Sequence, residues 1–327
     1  MTIDSLNQQV DKQRGKSGGW PSDLTYLATE KNNVVEVEVS DAGTAKDGVW
    51  KKIDPWGFAY LDKVKECTKK PIQLKFSLRF PRTPTASYQY EALKRRVSYL
   101  ATANDLQITI LKDNCVDTLY NMEELTHRPD CEKIRNDMKD RGDDDTAGRL
   151  EKDFQAYLFG KGLHDPSDSD IRRTNERLAL FGDDFVRIGK IKSGEDRKRF
   201  KVEREFPTGV FCEEVKENNR ILSTEYVDLV TINKNGDVSV IELKFDDPKL
   251  EVIPQVLNYA LFFYAYRLQL TELLDKRLEC STKNANLVTY LVSNAFHTRF
   301  KSVWSYYSRG PLTIKQVIMG YMPDTRN

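Results

Sequence analysis

The spacing of apolar residues predicts an α/β unit in the first third of the chain. Apolar and polar side chains alternate at 33–39, 72–80 and 106–111, which is typical of half-buried strands. Apolar residues at 55–69 and 88–103 instead recur with helical spacing, along one face of each predicted helix. Strands that alternate with helices favour a sheet covered by helices. We assign residues 21–121 to this amino-terminal accessory unit.

A second series of strands and helices occupies the carboxy-terminal half. Apolar runs at 226–232 and 238–244 flank an Asn-Gly turn, which predicts an antiparallel hairpin. A buried strand is expected at 287–292, after a long helix at 252–270. We therefore expect an α/β fold with a central mixed sheet flanked by helices. The remaining predictions are helices at 150–159, 169–181 and 298–307, and a hairpin of 185–191 with 200–206.

Two stretches have the composition of irregular chain. Residues 1–20 are polar and are expected to be a flexible lead-in, without the apolar core of a signal peptide. Residues 122–148 are charge-dense and poor in large apolar groups, as in a linker that could contain one short helix. This places a second domain at 149–327.

The composition excludes a strongly basic protein and a membrane-spanning one. Lys and Arg number 51 and Asp and Glu number 50, so any affinity for nucleic acid must come from local patches. No apolar run approaches the ~20 residues that span a bilayer. The five cysteines are scattered and form no C-x-x-C pair, which favours free thiols in a reducing compartment. We expect a cytoplasmic protein with no membrane contact.

Three charged residues interrupt the apolar strands of the predicted hairpin. Asp228 lies in the first strand, and Glu242 and Lys244 lie on one face of the second because side chains alternate between faces. Burying such groups without a ligand is costly. Carboxylate oxygens, with no Cys or His beside them, suit Mg²⁺ or Mn²⁺ rather than zinc. A hard cation with a lysine alongside fits phosphodiester hydrolysis.

In this region the chain resembles the PD-(D/E)xK nuclease superfamily. Asp228 and Glu242-Leu243-Lys244 are similar to its acidic pair and E-x-K strand, although Val227 stands where the name-giving proline would be. Gln255 and Tyr259 resemble the Q-x-x-x-Y signature of the RecB-like branch. The resemblance covers about half of the chain, roughly residues 148–320.

The resemblance implies a restriction-endonuclease-like core and a role for each matching residue. Asp228, Glu242 and the carbonyl of Leu243 would bind Mg²⁺ or Mn²⁺, and Lys244 would assist the attacking water. Gln255 and Tyr259 would support the site or the substrate. Glu151, on the predicted helix before the sheet, would be a further catalytic glutamate; an acid favoured by the helix dipole is an equally good interpretation.

The expected function is metal-dependent cleavage of DNA, with RNA as the other candidate substrate. Phage defence, restriction and repair are compatible settings, as are a homodimer and a helicase or ATPase partner. The alternative is a nucleic-acid-binding or regulatory subunit that keeps the nuclease fold without cutting.

Two simpler interpretations stand beside these. The three charged residues could form an exposed ion-pair ladder on a solvated sheet face, which contributes little to stability. In the first unit a basic set could contact phosphates, but an ordinary solvated face is the preferred interpretation. That set is Lys75, Arg79, Arg82, Lys94, Arg95 and Arg96.

Overall fold

The structure is a computed structural model of the 327-residue chain. It describes residues 2–29, 33–42, 47–68, 72–80, 87–135, 202–232, 235–282 and 285–319, with short pieces at 167–169, 172–173, 176, 190–192 and 198–200. Within these residues the protein is an α/β structure with mixed sheets flanked by helices, as the sequence predicted. No helix in the described part is both long enough and apolar enough to cross a membrane.

The first sheet has five strands in the order β1-β2-β3-β4-β5. β2, β3 and β4 are parallel, and β1 and β5 pair antiparallel at the two edges. Alternation along the chain produces this layer, since Val35, Val37 and Val39 are buried and the residues between them are not. The strands are Thr25–Thr29, Val34–Val39, Gln73–Leu78, Ile108–Lys112 and Cys115–Asp117.

Five helices of the described residues accompany this sheet. They are α1 (Ile3–Gln13), α2 (Asp47–Trp50), α3 (Ile53–Cys67), α4 (Ser87–Asn104) and α5 (Met122–Thr126). Three of them, α2, α3 and α4, lie in the connections between its parallel strands. The predicted helices at 55–69 and 88–103 are confirmed as α3 and α4 to within a few residues at each end.

The amino terminus corrects the expectation of a flexible lead-in. Thr2 caps α1 by accepting a hydrogen bond from the Ser5 amide at 3.2 Å. Ile3, Leu6 and Val10 lie on one face of α1, at helical spacing, and are buried. The polar residues that suggested disorder occupy the opposite, solvated face.

The second large sheet has the order β15-β14-β13-β12-β9. β13, β14 and β15 are parallel, whereas β12 is antiparallel to both of its neighbours. The hairpin predicted at 226–232 and 238–244 is confirmed as β12 and β13. The strands are β9 (Val202–Pro207), β12 (Tyr226–Ile232), β13 (Val238–Lys244), β14 (Leu287–Ser293) and β15 (Thr313–Ile318), the last of which the sequence did not predict.

Three helices accompany this sheet, α6 (Val252–Ala265), α7 (Arg267–Leu278) and α8 (Phe300–Tyr307). The single helix predicted at 252–270 is wrong, because the chain bends at Tyr266, with φ −105° and ψ 23°. A tertiary contact holds this bend: the Tyr266 hydroxyl accepts from Arg95 Nη1 at 2.8 Å and donates to Glu132.

Smaller strands complete the structure. β6 (Glu132–Ile134) and β11 (Arg220–Leu222) flank β10 (Val210–Cys212), and β7 (Lys190–Lys192) pairs with β8 (Lys198–Phe200). The Arg135 amide donates to the Gly209 carbonyl at 2.9 Å, directly after β6. The part of the predicted linker that the structure describes therefore contains α5 and a strand that pairs with the second half of the chain.

One hydrophobic core includes residues from both halves of the chain. Phe58 of α3 stacks on Tyr306 of α8, with ring centroids 4.5 Å apart. Leu250, Val256 and Leu257 belong to the same buried cluster as the first sheet. A second cluster lies between α6, α7 and the strands β9, β12 and β13. The division into two domains stays a prediction.

Candidate functional site

The register of the β12–β13 hairpin brings the charged residues together. Leu229 lies opposite Ile241 and Val230 opposite Val240, so one further step places Asp228 beside Glu242. The Asp228 carboxylate reaches the neighbouring strand, where its Oδ2 accepts a hydrogen bond from the Leu243 amide at 2.7 Å. A carboxylate thus fixes the backbone in the middle of the E-x-K triplet.

Glu242 and Lys244 form an ion pair within the protein. Lys244 Nζ lies 2.7 Å from Glu242 Oε1, and the two side chains are 13% and 2% exposed. The interpretation of these residues as an exposed ion-pair ladder is therefore wrong, because the Glu242 side chain is buried. Moving a carboxylate out of water is costly unless a cation remains next to it. Lys244 supplies that cation in the protein.

Gln255 and Tyr259 lie one helical turn apart on α6, as the Q-x-x-x-Y spacing requires. Gln255 Nε2 donates to the Tyr259 hydroxyl at 2.8 Å, and that hydroxyl donates to the Tyr226 carbonyl at 3.1 Å. The pair therefore joins α6 to the start of β12, two residues before Asp228.

Electrostatics also link Tyr259 to the acidic residues. Burial raises the pKa of Tyr259 well above its ordinary value, and the nearby negative charges of Glu242 and Asp228 raise it further. Its phenol is therefore protonated throughout the neutral range and acts as a hydrogen-bond donor.

The ends of the two parallel strands are tied together at the same edge of the sheet. Lys244 of β13 is in register with Ser293 of β14. Just beyond them, the Asp246 amide donates to Asn294 Oδ1 at 2.9 Å, and Asn294 Nδ2 donates to Asp246 Oδ1 at 2.8 Å. The segments that leave both strands therefore start beside the charged residues.

A residue of the amino-terminal unit contacts the segment directly before β12, and the sequence did not predict this contact. Lys51, between α2 and α3, forms an ion pair with Glu225 at 2.8 Å. Glu225 is adjacent to Tyr226 in the chain and its charge acts on Tyr259. A local sequence pattern cannot predict the contact between Lys51 and Glu225, because the two residues are far apart in the chain.

The basic set expected in the first unit does not form a free phosphate-binding patch. Each described member has a carboxylate partner, and Arg82 lies outside the described residues. Arg95 and Arg96 are also buried rather than on the solvated helix face that the sequence suggested. The pairs are Lys75–Glu36 at 2.9 Å, Arg79–Glu38 at 2.8 Å, Lys94–Asp117 at 2.9 Å, Arg95–Glu91 at 2.8 Å and Arg96–Asp54 at 2.8 Å.

The donor set around Asp228 is compatible with a hard divalent cation. Two carboxylates that meet across a hairpin offer oxygen ligands, and Mg²⁺ commonly takes its other ligands from water and substrate phosphate. In the described part of the chain no group of three or more His, Cys, Asp or Glu side chains is arranged to hold a metal ion. The Leu243 carbonyl as a third ligand stays a prediction, and Glu151 lies outside the described residues.

Comparisons with known proteins found no match: no protein-family model, no curated protein and no solved structure matches this chain.

Proposed function

We propose that this protein is a metal-dependent nuclease with a restriction-endonuclease-like core, and that it hydrolyses phosphodiester bonds in DNA. The observation that supports this most strongly is the buried Glu242–Lys244 ion pair, with Asp228 held against the intervening Leu243 amide. The order β12, β13, α6, β14 also agrees with the element order that the sequence resemblance implies.

The proposed chemistry assigns a separate role to each group. Mg²⁺ or Mn²⁺, bound by Asp228 and Glu242, would activate water and stabilise charge on the phosphate. Lys244 Nζ would donate hydrogen bonds that orient the water, and its positive charge would offset negative charge on the phosphate. Gln255 and the protonated Tyr259 hold α6 against β12, and so fix the acidic residues relative to the substrate.

Substitution of the three charged residues tests the proposal. In Asp228→Asn, Glu242→Gln and Lys244→Ala we expect cleavage to fall by about 10²-fold or more, because each removes a group that acts on the reacting phosphate or water. Cleavage of circular plasmid and linear single-stranded DNA is measured with Mg²⁺, with Mn²⁺ and with EDTA. Cutting of the circle would identify an endonuclease.

Lys249→Ala is the matched control, since this lysine follows the same strand but its side chain is 67% exposed and pairs with Asp247. Its activity should stay within about twofold of the unmodified protein, as for other exposed pairs. Circular dichroism establishes that each variant is folded. Full activity in all three site variants contradicts the assignment, and binding without cleavage by the unmodified protein favours the non-cutting alternative.

A further inference from the structure

An arginine with no acidic partner among the described residues lies on the segment that follows β14. The Arg299 guanidinium packs over Trp20, with its carbon 4.8 Å from the ring centroid, and over Trp56 at 5.4 Å. It donates one hydrogen bond, to the Gly18 carbonyl at 3.4 Å. No carboxylate of the described residues lies within ion-pair distance of it, in contrast to the paired basic residues of the first unit.

The surroundings of Arg299 contain further unused donors. Trp56 is 5% exposed and Tyr26 is 4% exposed, yet neither the indole N–H nor the phenol has a hydrogen-bond partner in the described part of the chain. Tyr26 is close enough for the charge of Arg299 to act on its pKa. Buried polar groups without partners are uncommon in folded proteins and call for an explanation such as a bound ligand.

The neutral state of His297 leaves Arg299 as the cation of this cluster. Burial, followed by the charge of Arg299, lowers the pKa of His297 below its ordinary value. Its Nδ1 accepts the Arg299 amide at 3.1 Å, so the neutral ring carries its proton on Nε2. A partly desolvated guanidinium braced by two indole faces is pre-organised to bind an anion, and its fork of donors matches phosphate.

This cluster is connected to the proposed active site along the chain, through the end of β14. The segment containing Arg299 leaves β14 at the edge where Asp246 and Asn294 join the two strand ends. Glu251, directly before α6, raises the pKa of Tyr26 through its negative charge, whereas Arg299 lowers it. Lys52, which pairs with Asp23 at 2.5 Å, is adjacent in the chain to Lys51, which pairs with Glu225.

We propose that Arg299 binds a backbone phosphate of the nucleic acid held at this edge of the sheet, with Trp20 and Trp56 bracing its guanidinium. This inference rests on the proposed function, and it identifies a residue with which the nuclease would bind its substrate. In a chain with 51 basic and 50 acidic residues, affinity for nucleic acid requires such a local site. A purely structural role, in which the arginine only joins the Gly18 loop to α8, is the competing explanation.

Binding is measured by fluorescence anisotropy with labelled single-stranded and duplex DNA in Ca²⁺, which replaces the catalytic ion and separates binding from cutting. For Arg299→Ala we expect affinity to fall by about tenfold, as for loss of hydrogen bonds to a charged group. The slope of log K against log salt should fall by about 0.7 to 0.9, the value for one phosphate contact. Arg299→Gln, which keeps a planar side chain over the indoles without the charge, should behave in the same way.

Lys301→Ala is the matched control, because it removes one positive charge from an exposed position in the first turn of α8, the helix that starts directly after Arg299. Its affinity should stay within about twofold of the unmodified protein, as for other exposed charges. Thermal unfolding of every variant is measured in parallel. A lower melting temperature with unchanged affinity in the Arg299 variants would overturn the inference and support the structural role.

A second measurement separates this inference from the nuclease proposal. Inorganic phosphate is titrated while tryptophan emission is recorded, since two of the four tryptophans touch Arg299. One outcome is a saturable change with phosphate that Arg299→Ala removes, in a protein that neither binds nor cuts DNA; it would support a site for free phosphate and contradict the nuclease proposal. Another outcome is that the protein cuts DNA and the Arg299 variants bind DNA as well as the unmodified protein. That result would contradict only the role of Arg299 in DNA binding. No response to phosphate or DNA overturns both.

Discussion

Arg96 shows how little the charge of a single residue reveals about its role. It is 1% exposed, and its guanidinium donates to both oxygens of Asp54 at 2.9 and 2.8 Å. It also donates to the Trp50 carbonyl at 2.9 Å and to Asn258 Oδ1 at 3.1 Å. Tyr307 donates to Asp54 at 2.6 Å, so α3, α4, α6 and α8 meet at one buried ion pair.

Arg96→Ala is expected to lower the free energy of unfolding by about 3–5 kcal/mol, because it leaves Asp54 buried without its cation. Urea denaturation measures the change. Lys63→Ala is the control: its pair with Glu66 has side chains that are 41% and 59% exposed. Loss of such an exposed pair should cost at most about 1 kcal/mol. Equal effects of the two substitutions would show that burial of the pair is unimportant.

At this scale the sequence predicts residues that break a local pattern and misses those that depend on distant partners. Asp228, Glu242 and Lys244 stood out because each interrupts an apolar strand. Arg96 was wrongly placed on a solvated face, since its partner Asp54 lies on another helix and could not be identified from local spacing. The contact of Arg299 with Trp20 and Trp56 likewise could not be predicted, because the two tryptophans come from the other end of the chain.

Among the elements, α3 approaches the first sheet closely, and glycine makes that approach possible. A Cβ placed on Gly57 would lie 2.8 Å from Phe76 Cε1 and 3.5 Å from Val37 Cγ2. The space that a methyl group needs is thus already filled by β2 and β3. Gly57 is buried in the helix–sheet interface, whereas a Cβ placed on Gly48 of α2 would have no neighbouring atom of the described residues within 4 Å.

Gly57→Ala should therefore destabilise the protein by about 1–3 kcal/mol, as overpacking of a core does. Gly48→Ala should be neutral or stabilising by up to about 1 kcal/mol, because alanine favours the helix and restricts the unfolded chain. Thermal unfolding of both variants provides the comparison. A stabilising effect of Gly57→Ala would mean that α3 shifts freely on the sheet.

Element prediction succeeded where local periodicity determines the structure. The three parallel strands and two long helices of the first unit follow from spacing, and the β12–β13 hairpin follows from spacing and one Asn-Gly turn. In contrast, β1, β5 and α2 were not predicted. The bend at Tyr266 did not, because it is fixed by hydrogen bonds from Arg95 and to Glu132 rather than by a helix-breaking residue. α1 was missed because its three buried residues stand among polar ones.

At the scale of the whole molecule, the shared core couples the two halves of the chain. α8 packs against α3 through Phe58 and Tyr306, and the buried pair of Arg96 and Asp54 touches both α6 and α8. We expect the full chain to unfold in a single transition, with coincident curves from far-ultraviolet circular dichroism and tryptophan emission.

A fragment of residues 122–327 tests this coupling directly. Without the first unit, the apolar faces of α6 and α8 that belong to the shared core would be exposed to water. Such a fragment should unfold without a cooperative transition or aggregate. A sharp transition in the fragment would instead support two independently stable domains divided near residues 122–148.

The hydrogen bond between Arg135 and Gly209 has a consequence for variation in chain length. The chain leaves the small sheet after β6 and re-enters it at β10. The pairing of these two strands and the Arg135–Gly209 hydrogen bond therefore close the connection between them. Lengthening a closed connection costs little, about 0.6 kcal/mol for each doubling. A longer connection between these two strands would therefore leave the register of β6 and β10 unchanged, because that register is set by their own pairing.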